Sequence, residues 1–421
     1  MVKPSSFDGT IDDVDGGYSS GAERLSVAQD VVGSIPTSRP KFPLGPLKSL
    51  LGRLPAIQLA MMTPRIADKA PNLVDRADWF SPFEPISLFR GSHAQTLAGN
   101  YWPRPLFNML ADAEEVLVDA SDGSRVLCHS HWQPEGIRAS RLTILLVHGL
   151  EGSSDSQYIQ GITTRAWNKG CNVIRMNMRN CGGTDMWTPT LYHSGLSEDV
   201  NVVLHHFAQK YQLARMAMVG YSMGGNLVLK LAGELGEQVP RWLVASVGVS
   251  PAADLAASAD ALHEPANRMY EQHFLRNLMR RFKRKASLFP EVYSTHRVGP
   301  IRSVREFDDR ITAHYSGFAS ADDYYYRASA ARVVSRISIP TFVLHANDDP
   351  FIRLTKETTS LLIRNPHIDF VETQQGGHCA FLAKTKRLPG DAGRTDRHWA
   401  EATLIRYLLA TVEQWNSNHG S

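Results

Sequence analysis

Residues 216–235 read MAMVGYSMGGNLVLKLAGEL, and the fold turns on this stretch. MAMVG is a short apolar run of the kind that forms a strand buried on both faces, and a helix is expected from Met223 to Leu235. Between them lies GYSMGG, Gly220 to Gly225. At a strand-to-helix turn, Gly220 and Gly224 remove side chains where backbones crowd, and Gly225 adds clearance. Ser222 can then sit strained, with its Oγ projecting at the strand's carboxyl end. The competing reading is an ordinary helix N-cap serine.

Working outward, the apolar runs LTILLV, NVIRMNM, MAMVG, LVASVGV, TFVLHA and IDFVE are each bounded by Gly, Pro, Asn or Asp. Helices are expected at 157–169, 198–211, 223–235, 353–363 and 399–415. Strand then helix, repeated, implies a mostly parallel sheet with right-handed crossovers. EVLVDA and RVLCHSHW, on either side of Asp122-Gly123, read as a hairpin ahead of it. The alternation fails from Ala252 to about Arg336, where FLRNLMRRFKRK and FASADDYYYRAS carry no buried-strand pattern. That stretch reads as an insertion over the end of the sheet, where an active-site cap would sit.

A serine hydroxyl needs a base and an orienting acid to act as a nucleophile at neutral pH. Downstream, His378 lies in QQGGHCAF after IDFVE, and Asp348 and Asp349 follow TFVLHA in HANDDPF. Asp349 is preferred as the partner of His378, because it directly precedes Pro and two apolar residues; Asp348 would help hold the turn. LVHGLEGSS, 146–154, leads out of LTILLV and offers the backbone N–H of Leu150 as an oxyanion donor beside that of Met223. The same loop lacks the lysine of a G-x-x-x-x-G-K-[ST] phosphate cradle, which argues against a nucleotide site.

The bulk properties are those of a folded, soluble globular chain. In 421 residues, 45 Lys and Arg face 42 Asp and Glu, and the formal charge of +3 argues against nucleic acid as a partner. Cys128, Cys171, Cys181 and Cys379 lack paired C-x-x-C spacing, so neither a metal nor a cofactor is expected. No apolar run is long enough to span a membrane, and the expected location is cytoplasmic. Residues 1–41, rich in Ser, Gly, Asp and Pro, are expected to be a disordered tail. Residues 42–113 are expected to be an extension packing on the core, 114–251 and 337–421 the core, and 252–336 the cap.

HGLEGSSDSQYI, MNMRNCGGTDMWTPTLYHSGLSEDV, GYSMGGN and HANDDPF, with GSHAQTLAGNYWPRP at 91–105, resemble the YheT-like, type-4 branch of the α/β-hydrolases. The resemblance runs from about Phe89 to the end. It implies an α/β-hydrolase fold, a doubly wound sheet with a helical cap, and Ser222, Asp349 and His378 as a triad. It also implies cleavage of carboxylic esters of short or medium acyl chains, extending to phospholipid or monoacylglycerol, through an acyl-enzyme. An acyltransferase with an alcohol acceptor and a catalytically silent binding protein are the alternatives on the same fold.

The resemblance further marks Asn177, Arg179, Asn180, Gly182 and Gly183, with Asn177 and Arg179 expected to hydrogen-bond loop backbone or to touch substrate. Five residues rather than four separate His193 from Asp199 within YHSGLSED, a poor match to an acyltransferase pair, and a helix-start acid explains Asp199 more simply. Arg276, Arg280, Arg281, Lys283, Arg284 and Lys285 form either a patch for anionic lipid, and so a peripheral membrane contact, or a solvated cap face. Trp187, Tyr192 and Tyr324 to Tyr326 are pocket, core or interface aromatics. Acyl length and oligomeric state are not legible.

Overall fold

The computed structural model describes residues 73–104, 110, 112–295, 298–384 and 397–419. The expected tail at 1–41 and about half of the 42–113 extension lie outside these residues. Eight strands form one sheet: β1 (Glu114–Asp119), β2 (Arg125–His131), β3 (Thr143–Val147), β4 (Asn172–Met176), β5 (Met216–Tyr221), β6 (Leu243–Val249), β7 (Thr341–Ala346) and β8 (Ile368–Thr373). Their order is β1-β2-β4-β3-β5-β6-β7-β8. β1 and β2 are antiparallel across the Asp122-Gly123 turn, where both residues have positive φ (58° and 66°), and β2 meets β4 antiparallel. From β4 to β8 every pairing is parallel.

Burial explains the apolar runs. Every residue of β3, β4, β5, β6 and β7 is buried, because helices cover both faces, whereas edge strand β8 alternates toward its end. On one face lie α3 (Ser197–Tyr211), α4 (Met223–Leu235) and α8 (Lys356–Arg364); on the other lie α2 (Gln157–Asn168) and α9 (Trp399–His419). These helices fall within a few residues of their sequence expectations; α8 starts three residues later, after Thr355, whose hydroxyl accepts from the Thr358 N–H at 3.2 Å.

The helix α1 (Ser92–Tyr101) precedes the sheet, and Trp79 ahead of it is buried edge-on against Phe342 and Tyr407, centroids 5.0 Å away in each case. The non-alternating stretch after β6 carries α5 (Leu255–His263), α6 (Arg268–Leu288) and α7 (Ala321–Ala328), with a π-helical turn at Asp308–Ala313. Its apolar side chains form a third cluster, joined by Leu191, Phe351 and Ile352 from the sheet's carboxyl edge.

Candidate active site

Ser222 stands at the end of β5 with φ 54° and ψ −116°, a conformation that costs a non-glycine residue about 1–3 kcal/mol. Two close approaches hold it there. A Cβ on Gly220 would lie 2.1 Å from the Gly224 carbonyl oxygen, and one on Gly224 would lie 2.4 Å from the carbonyl oxygens of Val147 and His148. Only glycine lets the elbow close against itself and against β3. The Ser222 N–H donates to Val249 O at 2.9 Å, and Asn226 secures the following turn by donating to Ser194 O (2.8 Å) and Ala328 O (2.9 Å). Ser222 makes no side-chain cap bond, which sets aside the N-cap reading.

His378 follows β8 and Asp349 follows β7. His378 Nδ1 lies 2.8 Å from Asp349 Oδ2, while the other carboxylate oxygen accepts from the N–H groups of Ile352 (2.9 Å) and Phe351 (3.2 Å). Asp348 instead accepts from the Gly377 N–H at 2.9 Å, tying the turn to the histidine loop. Burial opposes a charged imidazole at His378, yet the Asp349 carboxylate outweighs it and holds the pKa well above the ordinary histidine value. Burial likewise raises Asp349, but His378 pulls it below the usual carboxylate range.

The Val249 carbonyl, already bonded to Ser222, also takes the Cys379 thiol at 3.8 Å, so the serine and histidine loops meet around one oxygen. Among the described residues no hydrogen bond joins Ser222 Oγ to His378, a contact that commonly tightens only when substrate is bound. Ser222, Ser250, Cys379 and Glu151, all near this junction or on the β3 loop, have positive φ without being glycine.

The N–H groups of Leu150, on the β3 loop, and of Met223, at the start of α4, make no described backbone hydrogen bond, and both residues line a cavity with Ser222. The loop is braced from within and above. His148 Nε2 accepts from the Met178 N–H (3.1 Å) and Nδ1 donates to Gly149 O (2.8 Å); burial keeps the ring neutral, with its pKa lowered to about 4. Glu151 receives Tyr192 Oη at 2.5 Å and Arg281 Nε at 3.0 Å. The cavity measures about 970 Å³ with its open mouth and is walled by Leu255, Leu262, Leu278, Phe282, Phe307 and Phe351, among others. A concave, mostly apolar lining with the Ser222 hydroxyl at its edge is the character of a small-molecule pocket.

Other expectations divide. Tyr192, Tyr324 and Tyr325 line the cavity, whereas Trp187 and Tyr326 are exposed. Asn177 holds loop backbone, accepting from the Ser154 N–H at 2.8 Å. Arg179 instead grips side chains, giving Asp199 a bidentate pair (2.7 and 2.6 Å) and donating to Thr190 and Ser121. Asp199 is therefore more than a helix-start acid. His193 sits on the cavity wall with Nδ1 accepting from the Gly195 N–H at 3.1 Å. Within the basic run, Arg281 and Lys285 turn inward, because the phase of α6 puts them on its packed side.

Sequence reasoning missed α1 as a buttress. Thr96 Oγ1 accepts from the His378 N–H at 2.9 Å, and Gln95 exchanges two bonds with the Leu382 backbone (3.0 and 3.1 Å). The signal was present in GSHAQTL, although nothing local assigns it a task. Among the described residues no cluster of side chains is suited to a metal ion.

The family model for the alpha/beta hydrolase fold matches residues 143–385. Over 341 residues the chain is 30% identical to YheT of Escherichia coli (strain K12), covering 79% of this chain and 94% of that protein. It is 31% identical to phospholipase ABHD3 of Bos taurus, over 71% of this chain and 77% of the other. It is 27% identical to a monoacylglycerol lipase of Saccharomyces cerevisiae (strain ATCC 204508 / S288c), over 63% and 58%. With the strand order, the serine elbow and these matches together, the chain belongs to the α/β-hydrolase family.

Proposed function

We propose that the protein is a serine hydrolase that cleaves carboxylic esters through an acyl-enzyme on Ser222, His378 and Asp349. The observation that carries this reading is the buried 2.8 Å pair of His378 and Asp349, held at the same sheet edge as a strained Ser222. In this scheme His378 takes the Ser222 proton as Oγ attacks the ester carbonyl, and Asp349 stabilises the imidazolium. The N–H groups of Leu150 and Met223 receive the oxyanion. The alcohol leaves with the proton from His378, and water then repeats the cycle to release the acid.

Residues 252–336 act as the cap, and the apolar cavity beneath them takes the acyl chain. Short and medium acyl esters are its substrates, including those of glycerol and glycerophospholipids; the names of the ABHD3 and yeast relatives support that class. The test is labelling with a fluorophosphonate probe alongside hydrolysis of p-nitrophenyl esters of graded chain length. Wild type should label and turn over while Ser222→Ala does neither. A folded wild type that neither labels nor hydrolyses any ester would overturn the proposal.

A further inference from the structure

The helix α6 has two unlike faces. Phe274, Leu278, Arg281 and Phe282 look into the cavity, while Arg276, Arg280, Lys283 and Arg284 are exposed along about 12 Å of the opposite side. The only acid of α6, Glu271, is buried, bonded to His263 and to the Val304 N–H. Among the described residues Arg276, Arg280 and Lys283 make no ion pair, and the two arginines donate only to the neutral side chains of Gln272 and Asn277.

Beside the last turn of α6 lies a second feature that a solvated helix face does not need. Met186 and Trp187 stand out from the surface, 66% and 45% exposed. They are held there deliberately: buried Lys285 donates to the carbonyls of Asp185 (2.8 Å) and Thr188, and Arg284 pairs with Asp185 at 3.3 Å. Leu288 and Val292, at the end of the same helix and just after it, are also exposed, and Tyr293 ties that end to Pro189 O at 2.8 Å. Lys285 fixes the backbone of this turn and so keeps Met186 and Trp187 in water, an exposed apolar tip of the kind that marks an interaction site.

We propose that this face of α6, with the Met186-Trp187 turn as its apolar tip, docks on an anionic lipid bilayer. The cations would lie at the headgroups and Met186, Trp187, Leu288 and Val292 at the acyl boundary. A bilayer fits better than a nucleic acid or an acidic protein because it alone uses both halves of the patch. The inner face of the same helix walls the cavity, so a single helix separates the docked surface from the proposed acyl pocket.

Flotation of the full chain with vesicles of phosphatidylcholine, alone or with a minority of phosphatidylglycerol, tests this. Wild type should float with the anionic vesicles, less so at high salt, and not with the neutral ones. The variant R276Q/R280Q/K283Q should bind more weakly by about fivefold per cation, on the order of 100-fold in all. M186S/W187S should lose on the order of tenfold. Both should keep wild-type melting curves and wild-type turnover of a water-soluble ester.

Absent or charge-blind flotation of the wild type, or wild-type flotation by the triple variant, would overturn the docking surface. Binding that needs the cations but ignores M186S/W187S would also overturn it, in favour of a soluble polyanion. Docking is independent of the catalytic reading: Ser222→Ala should float like the wild type, and a floating but inactive wild type would sink only the proposed chemistry.

Discussion

Asp348 and Asp349 are adjacent, identical in chemistry and different in every contact. Asp349 lies under His378 with both oxygens occupied, whereas Asp348 spends its carboxylate on the Gly377 N–H. Asp349→Asn should therefore lower kcat on a soluble ester by about 10⁴, and Asp348→Asn by far less, since it leaves the imidazole's partner in place. The pH profile gives an independent check. His378 must be neutral to accept the serine proton, so activity falls as pH drops through its raised pKa. Without the Asp349 charge, burial dominates and the imidazole pKa falls, so the acid limb of the residual activity should move to lower pH. An unmoved limb would mean that Asp349 does not govern His378.

At the scale of elements, the loop after β3 is where the stretch after β6, the proposed cap, meets the sheet. Glu151 follows Leu150 directly, has φ 57°, and is gripped by Tyr192 from the core side and Arg281 from α6. The arrangement makes the position of the proposed oxyanion donor, Leu150, depend on a helix more than a hundred residues away in sequence. Glu151→Gln should lower kcat about tenfold with KM nearly unchanged, a smaller loss than deleting an oxyanion donor outright. A raised KM at constant kcat would instead assign the pair to substrate binding. Steady-state kinetics with a soluble ester separate the two outcomes.

The whole molecule carries a set of buried histidines that folding keeps uncharged. Burial lowers His148, His345 and His398 to about 4 and His193 to about 3. Between pH 4 and 6.5 the unfolded chain binds protons at these positions and the folded chain does not, so stability rises with pH across that window. Asp308 works against them: burial raises it to about 6, so the folded chain holds a proton there that the unfolded chain has released. The four histidines prevail over Asp308, and near pH 5 these five groups together should contribute an uptake of roughly three protons on unfolding. The urea midpoint should fall steadily from pH 6.5 to 4.5; a flat profile would mean that the histidines are not held neutral.

Much of the site was legible because it is written locally. The elbow needs Gly220 and Gly224 within five residues of each other, and a strand buried on both faces shows itself as an unbroken apolar run. The order serine, acid, histidine follows from the order of β5, β7 and β8. The remainder depends on residues far apart in the chain. Nothing in GSHAQTL shows that Thr96 will hold the His378 backbone, and nothing in RRFKRK separates inward Arg281 and Lys285 from the cations left outside. The chemistry available to this protein was thus set by short-range sequence, since a strained turn and its glycines act within one strand and one helix. The shape of the cavity beside Ser222, the bracing of the loop after β3 and the composition of the outer face of α6 were decided only by tertiary packing, because helix phase and long-range burial determine which side chains meet.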